Sequence, residues 1–172
     1  SLKSGAEVPF VRSKVSSGDF STTSEVLIEV LNCYFELGEI FTTCCCLYPT
    51  AVLTSTEDLI SGKSFLENNN YNAVFPVIEF KNNIWRSFTR SPKGKTLLNF
   101  KKHMNSRSQD LEKSYFDAGQ WYWFEVDKFM NHKNLLNMNC GSIIISNNRA
   151  QDIDTEEDWK EAERKFDILK TH

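Results

Sequence analysis

The 172-residue sequence has no apolar run long enough to span a bilayer. Its N-terminus lacks the apolar stretch of a signal peptide, so neither an integral membrane protein nor a secreted one is indicated. Cysteine is scarce, with five residues at positions 33, 44, 45, 46 and 140. An odd count with three adjacent makes no disulfide framework, and without a CxxC pair there is no zinc signature. Cys44, Cys45 and Cys46 read as small buried residues of a strand, reduced in a cytoplasm. Charge of one sign is lacking too. The formal net charge is −3 with acids and bases interspersed, which excludes the basic face that a generic nucleic-acid or membrane-surface protein needs. Prolines (4) and glycines (7) are few, and no internal repeat or low-complexity linker interrupts the chain. What is left is the composition of a soluble globular protein, at a length that fits one domain with a real core.

Thr22, Thr23 and Ser24 before Glu25 offer N-cap chemistry, and Val26, Leu27, Val30, Leu31 and Tyr34 then recur at helical spacing up to Gly38. Ile40 to Tyr48 has the length and apolar content of a buried strand, ended by Pro49 and Thr50. A second helix is expected from Ser55, with Leu59, Ile60, Phe65 and Leu66 inward and a stop at Asn68, Asn69 and Asn70. Tyr71 to Phe80 reads as a strand with Ile84 to Thr89 as its antiparallel partner, and Leu97 to Phe100 as a short apolar piece. Gly119 to Phe124 is a strongly aromatic strand, and Ile143 to Ile145 a last short one. A final helix starts at Thr155, with Trp159, Ala162, Phe166 and Leu169 as its apolar stripe. Strands alternating with helices predict a single layered α/β domain over 1–172 with a mainly parallel sheet. Residues 82–116 break that rhythm and read as an inserted arm.

The sharpest local pattern is Gln151-Asp152-Ile153-Asp154-Thr155-Glu156-Glu157-Asp158-Trp159. Asp152 and Asp154 are two apart in an extended segment, so their carboxylates point the same way while Ile153 faces the core. Thr155 and Asp158 have the spacing of a capping box, which sets the helix start. Two convergent carboxylates suit Mg²⁺, which takes hard oxygen ligands and shares its shell with substrate phosphates. The plainer reading is an acidic strand-to-helix loop, with favourable charge at the positive end of the helix dipole. Arg107 has a plain reading as well, an ion pair with Asp110 or a neighbour, and Arg86 and Arg149 are lesser candidates. Trp121, Tyr122 and Trp123 line either a sugar pocket or, as alternating aromatics on a strand more often do, a core or subunit contact. Lys93, Lys95, Lys101 and Lys102 form a solvated face, and His103, His132 and His172 show no ligand spacing.

The longer aspartate string resembles the C-terminal motif of the acylneuraminate cytidylyltransferases, enzymes that make CMP-activated nonulosonic acids. Arg107-Ser108-Gln109-Asp110-Leu111 is similar to that family's Arg-x-Gln-Asp-Leu. The following Asp117-Ala118-Gly119-Gln120-Trp121-Tyr122-Trp123 looks closer to the pseudaminic acid branch than to the sialic acid branch, whose equivalent strand begins Asn-Gly-Ala. Ala6 to Arg12 and Cys46 to Ala51 also match, so the likeness runs along nearly the whole chain in the same order.

The resemblance implies a three-layer Rossmann-like nucleotidyltransferase fold with a mostly parallel mixed sheet and an arm, 82–116, used for dimerisation. It implies transfer of CMP from CTP to a sialic-acid-like sugar acid, releasing pyrophosphate, for cell-surface glycan synthesis by a cytoplasmic homodimer. Asp152 and Asp154 would be the Mg²⁺ ligands. Arg107 would pair with the sugar carboxylate and Gln109 with sugar hydroxyls or amides, while Arg12, Pro49 and Thr50 would lie along the nucleotide. Two small departures are Ser13, where proline usually follows the arginine, and Val52, where proline often follows Thr-Ala. A larger one is that the family's Ala-Arg-Gly-Gly-Ser-Lys stretch, which wraps the CTP phosphates, has no counterpart in these residues. The resemblance therefore implies a fold without its N-terminal strand-loop-helix, with an exposed sheet edge and no catalysis by this chain alone. The alternative is a non-catalytic remnant of the fold serving as a binding or interaction module.

Overall fold

A computed structural model describes residues 2–18 and 20–170. The regular elements are α1 (Thr23–Glu36), β1 (Thr43–Leu47), α2 (Thr56–Asn68), β2 (Ala73–Glu79), β3 (Phe88–Arg90), β4 (Thr96–Leu98), β5 (Tyr115–Asp117), β6 (Trp121–Glu125), α3 (Val126–His132), β7 (Cys140–Ile144) and α4 (Glu156–Lys170). The chain divides into two compact units. The first comprises 1–48, 55–75 and 121–141, and the second 49–54, 76–120 and 142–172. The expected arm, 82–116, lies within the second. Among the described residues no helix is long and apolar enough to cross a membrane.

In the first unit the two helix starts form where the capping residues stand. Thr22 caps α1 and Ser55 caps α2, each in a reciprocal capping box, with Glu25 and Asp58 as the returning carboxylates. Those bonds to Thr22, the backbone one first, hold the Glu25 carboxyl below its ordinary pKa. Helix α1 stops as Gly38 turns to φ +83°, a left-handed conformation that costs glycine little. Asn69 ends α2 by donating its side-chain amide to the Phe65 carbonyl at 2.8 Å.

Strand β6 organises this unit. Its alternation sends Tyr122 and Phe124 to one face, where they join Leu27 and Leu31 of α1, Phe129 of α3, Ala73 and Leu135 in the main core. Phe124 and Phe129 pack with ring centroids 4.9 Å apart. Trp121 and Trp123 go to the other face against α2, where Trp123 donates its indole N–H to the Leu59 carbonyl at 2.9 Å. Helices thus cover both faces of the sheet in this unit. Each fully buried aromatic contributes on the order of 2–3 kcal/mol of apolar transfer. The aromatic strand is therefore mainly core in this unit, and Tyr122 also borders a cleft of 170 Å³ with Thr22, Tyr48 and Asn134.

The sheet expected to be mainly parallel is built chiefly of antiparallel pairs: β1 with β6, β6 with β2, and β2 with β5. The reason lies in where β6 inserts. β1 and β2 flank the α2 crossover and run in the same sense, as expected of such a unit, but β6 enters between them antiparallel to both. Cys44, Cys45 and Cys46 lie half-buried along β1, and burial raises all three thiols, Cys45 to about 12 and Cys46 to about 11. Protonated thiols at neutral pH are poor nucleophiles and poor metal ligands.

In the second unit the later part of β2 pairs with β5, in the register Val77 to Asp117 and Glu79 to Tyr115. Residues 84–89 do not form that partner. They make a short turn at Ile84–Arg86 and then β3, which pairs with β4 in a separate hairpin. The turn forms because the Asn83 side chain caps it, accepting from the Trp85 amide at 3.0 Å. Ile78, Ala118, Ile145 and Ala150 make this unit's small core.

The inward face expected of α2 is narrower than the pattern of large residues suggests. Gly62 and Leu66 are buried, whereas Ile60 is 60% exposed. Gly62 is where the Trp121 ring seats: a Cβ there would stand 2.5 and 2.6 Å from two of its ring carbons. An ordinary helix gains stability from Gly→Ala, by roughly 1 kcal/mol. Gly62→Ala is expected to do the reverse and destabilise by roughly 1–3 kcal/mol through overpacking. Chemical denaturation of the variant beside the wild type measures the sign.

Candidate functional site

The aspartate motif lies in the second unit, on the turn leading into α4. Ile153 points into an apolar cleft of 170 Å³ shared with Val52, Trp159, Ala162 and Phe166. Asp152 and Asp154 on either side of it are exposed, as period-two alternation requires. Thr155 and Asp158 close the expected capping box: the Asp158 carboxylate accepts from the Thr155 amide at 2.9 Å and from its hydroxyl at 2.7 Å. It also accepts from the Asp154 amide at 3.3 Å. These bonds, the Thr155 hydroxyl first, hold the Asp158 carboxyl below its ordinary pKa. Asp158 is therefore spent on the helix start, and the two flanking carboxylates face solvent.

Residues before the motif are held from below. Gln120, 1% exposed, donates its amide to the Arg149 carbonyl at 2.7 Å. Lys165 is 4% exposed and donates to the Ala150 carbonyl and to the Gln151 side-chain oxygen, each at 2.8 Å. Burial lowers the Lys165 pKa, partly offset by Glu161. The sequence reading assigned nothing to Lys165, although it stands three residues after Ala162 on the helix face that turns inward. The expected stripe itself is only partly covered: Ala162 is buried, while Trp159 and Phe166 stay half exposed along the cleft.

Elsewhere in the second unit, a cleft of 350 Å³ is lined by Glu79, Lys81, Asn83, Ser108, Gln109, Lys113 and Ser114 among others. Lys113 and Glu79 pair across it at 2.9 Å. Among the described residues the buried Ser114 hydroxyl has no hydrogen-bond partner. Gln109 borders this cleft. Arg107 does not; its exposed guanidinium stands 3.8 Å from Asp110, as the plainer reading had it. Arg86 donates to the Ser108 hydroxyl at 3.4 Å. In the arm, Trp85 packs edge-on against Phe100 at 5.0 Å and donates to the Glu112 carbonyl at 3.0 Å, while Phe88 and Leu97 remain exposed.

Pro49 and Thr50 form the turn after β1, where the Thr50 carbonyl accepts from the Val52 amide at 2.8 Å. Arg12 belongs to the first unit, exposed on the extended N-terminal segment. Its neighbour Ser13 ties that segment to α1, donating its amide to Glu29 at 2.6 Å and its hydroxyl at 2.7 Å. Those two bonds, the backbone one first, hold the Glu29 carboxyl below its ordinary pKa.

No family model matches the chain. It is similar to the pseudaminic acid cytidylyltransferase of Campylobacter jejuni serotype O:2, 31% identical over 157 residues, which are 91% of this chain and 68% of that protein. The protein of the same name from C. jejuni serotype O:23/36 is 30% identical over the same shares. This chain belongs to the pseudaminic acid cytidylyltransferase family. A Helicobacter pylori protein that combines the same cytidylyltransferase name with a UDP-sugar hydrolase is 31% identical over 150 residues, 87% of this chain and 28% of that protein.

The chain is therefore of an enzyme family, the nucleotidyltransferases, and the aspartate turn can be judged by what such chemistry asks of it. Among the described residues no group of three or more His, Cys, Asp and Glu side chains forms a closed metal site. Magnesium rarely uses one. It binds through one or two carboxylates plus water and substrate phosphate, and Asp152 and Asp154 have that donor chemistry and that exposure.

Serine at position 13 has a measurable consequence. Ser13→Pro removes both donors to Glu29, so the Glu29 carboxyl should titrate higher, toward the ordinary glutamate range, by carboxyl carbon NMR. The wild-type pKa is depressed on folding, so this contact stabilises above about pH 4 and is lost as pH falls through the lowered value. An unchanged Glu29 titration would show that Ser13 does not hold it.

Proposed function

We propose that this protein transfers CMP from CTP to pseudaminic acid or a closely related nonulosonic acid, releasing pyrophosphate. The observation that carries the reading is the similarity to the C. jejuni enzymes over 91% of the chain. In the reaction the anomeric hydroxyl oxygen of the sugar attacks the α-phosphorus of CTP. A new oxygen–phosphorus bond forms, the bond to pyrophosphate breaks, and the hydroxyl proton is released. Little covalent work falls to the protein, which has to align the two oxygens and balance charge on the phosphates.

Asp152 and Asp154 would hold Mg²⁺, which supplies charge neutralisation on the phosphates when bound. Gln109, at the rim of its cleft, offers amide hydrogen bonds to sugar hydroxyls or acetamido groups. Arg107 is exposed and paired with Asp110, a pairing of the kind worth about 0–1 kcal/mol, so turning the guanidinium toward a sugar carboxylate costs little. Arg12, Pro49 and Thr50 would serve the nucleotide side of a Rossmann-like fold. Exposed Phe88 and Leu97 on the arm support a homodimer formed through 82–116.

The test is pyrophosphate release by the full-length gene product from CTP and Mg²⁺, with pseudaminic acid and N-acetylneuraminic acid compared. Turnover with the first and a loss of roughly 10²-fold or more in Asp152→Asn and Asp154→Asn is the expected result. Absence of turnover and of CTP binding would instead indicate a non-catalytic remnant of the fold.

A further inference from the structure

The two exposed aspartates sit on a backbone stretch of three residues between Gln151 and Thr155, and hydrogen bonds grip both ends of it. Upstream, the buried Lys165 ammonium takes the Ala150 carbonyl and the Gln151 side-chain oxygen, both at 2.8 Å. That contact decides which way the Gln151 amide faces, because an ammonium only donates. Its nitrogen is then directed at the Asp152 carbonyl, 2.9 Å away, and at the Asp158 carboxylate, 3.3 Å away. Asp158 in turn receives the Asp154 and Thr155 amides at the downstream end. A continuous chain of bonds therefore runs from Lys165 through Gln151 and Asp158 to the backbone on both sides of Ile153. The cost of burying a lysine is substantial unless its donors are met, and here two are met on the one segment that presents the carboxylates.

We propose that Lys165 is a positioning residue: through Gln151 it fixes the backbone that presents Asp152 and Asp154 to a divalent cation. The proposal rests on the assignment of those aspartates to the metal. Lys165 would touch neither metal nor substrate. Outer partners that orient ligating carboxylates typically change metal affinity by about 10–100-fold when removed.

Mn²⁺ titration of the full chain, followed by the electron paramagnetic resonance signal of free Mn²⁺, tests it without reference to activity. Circular dichroism establishes that each variant is folded at the temperature used. Lys165→Met keeps the aliphatic stem and removes the ammonium. It is expected to weaken Mn²⁺ binding about ten-fold, with Asp152→Asn weakening it at least as much. Gln151→Leu removes the next member of the relay at a half-buried position, and decides the matter if Lys165→Met fails to fold. Unchanged Mn²⁺ affinity in folded Lys165→Met or Gln151→Leu, with loss in Asp152→Asn, would overturn the positioning role and leave the metal assignment standing. Unchanged affinity in Asp152→Asn would overturn both.

Discussion

Strand β6 must bury aromatic side chains on both of its faces, and the first unit is arranged around that demand. A five-residue strand with aromatic side chains on both faces cannot sit at the surface, because neither face tolerates water. It is buried by taking β1 and β2 as neighbours and by receiving α1 and α3 on one face and α2 on the other. The demand reaches into α2, whose closest point to the sheet has to be glycine because an indole ring occupies the space of a side chain. It also decides strand order. Once β6 lies between β1 and β2, the crossover strands keep their common direction and lose their direct pairing.

The candidate site in the second unit rests on a different balance. Its two carboxylates are exposed and so free to take a hard cation, while the backbone beneath them is held by side chains that are buried or already engaged. Ile153 is seated in the apolar cleft, Asp158 is committed to the helix start, and Lys165 and Gln120 grip the backbone upstream. Exposure alone would leave Asp152 and Asp154 on a mobile turn. Burial alone would impose a desolvation cost on each charge. Separating the roles by residue avoids both.

Much of this was legible in order along the chain because its causes are local. Thr22, Ser55 and Thr155 mark helix starts since a hydroxyl reaches an amide three residues on, a contact that needs nothing from elsewhere. The alternation that exposes Asp152 and Asp154 and turns Ile153 inward is equally local. Lys165 was not legible, since a lysine between Arg164 and Phe166 in a helix rich in Glu and Lys has the pattern of a solvated face. Only the return of Ala150 and Gln151 over that face made it interior. The partner of β2 was missed for a similar reason: Ile84 to Thr89 has strand-like residues, but Asn83 caps a turn there and β5 supplies the pairing instead.

The sequence by itself determined α1, α2, α4 and the longer strands, the helix starts, the outward aspartates and the family, because each depends on residue types at short spacing or on their order along the chain. Strand β5 and the short helix α3 carried no such signal. Only the tertiary structure decided the sheet's antiparallel pairing, the glycine seat for Trp121 and the burial of Lys165. Those three depend on which distant segments meet. The energy that selects among such meetings comes from packing and desolvation, which no short window of residues contains.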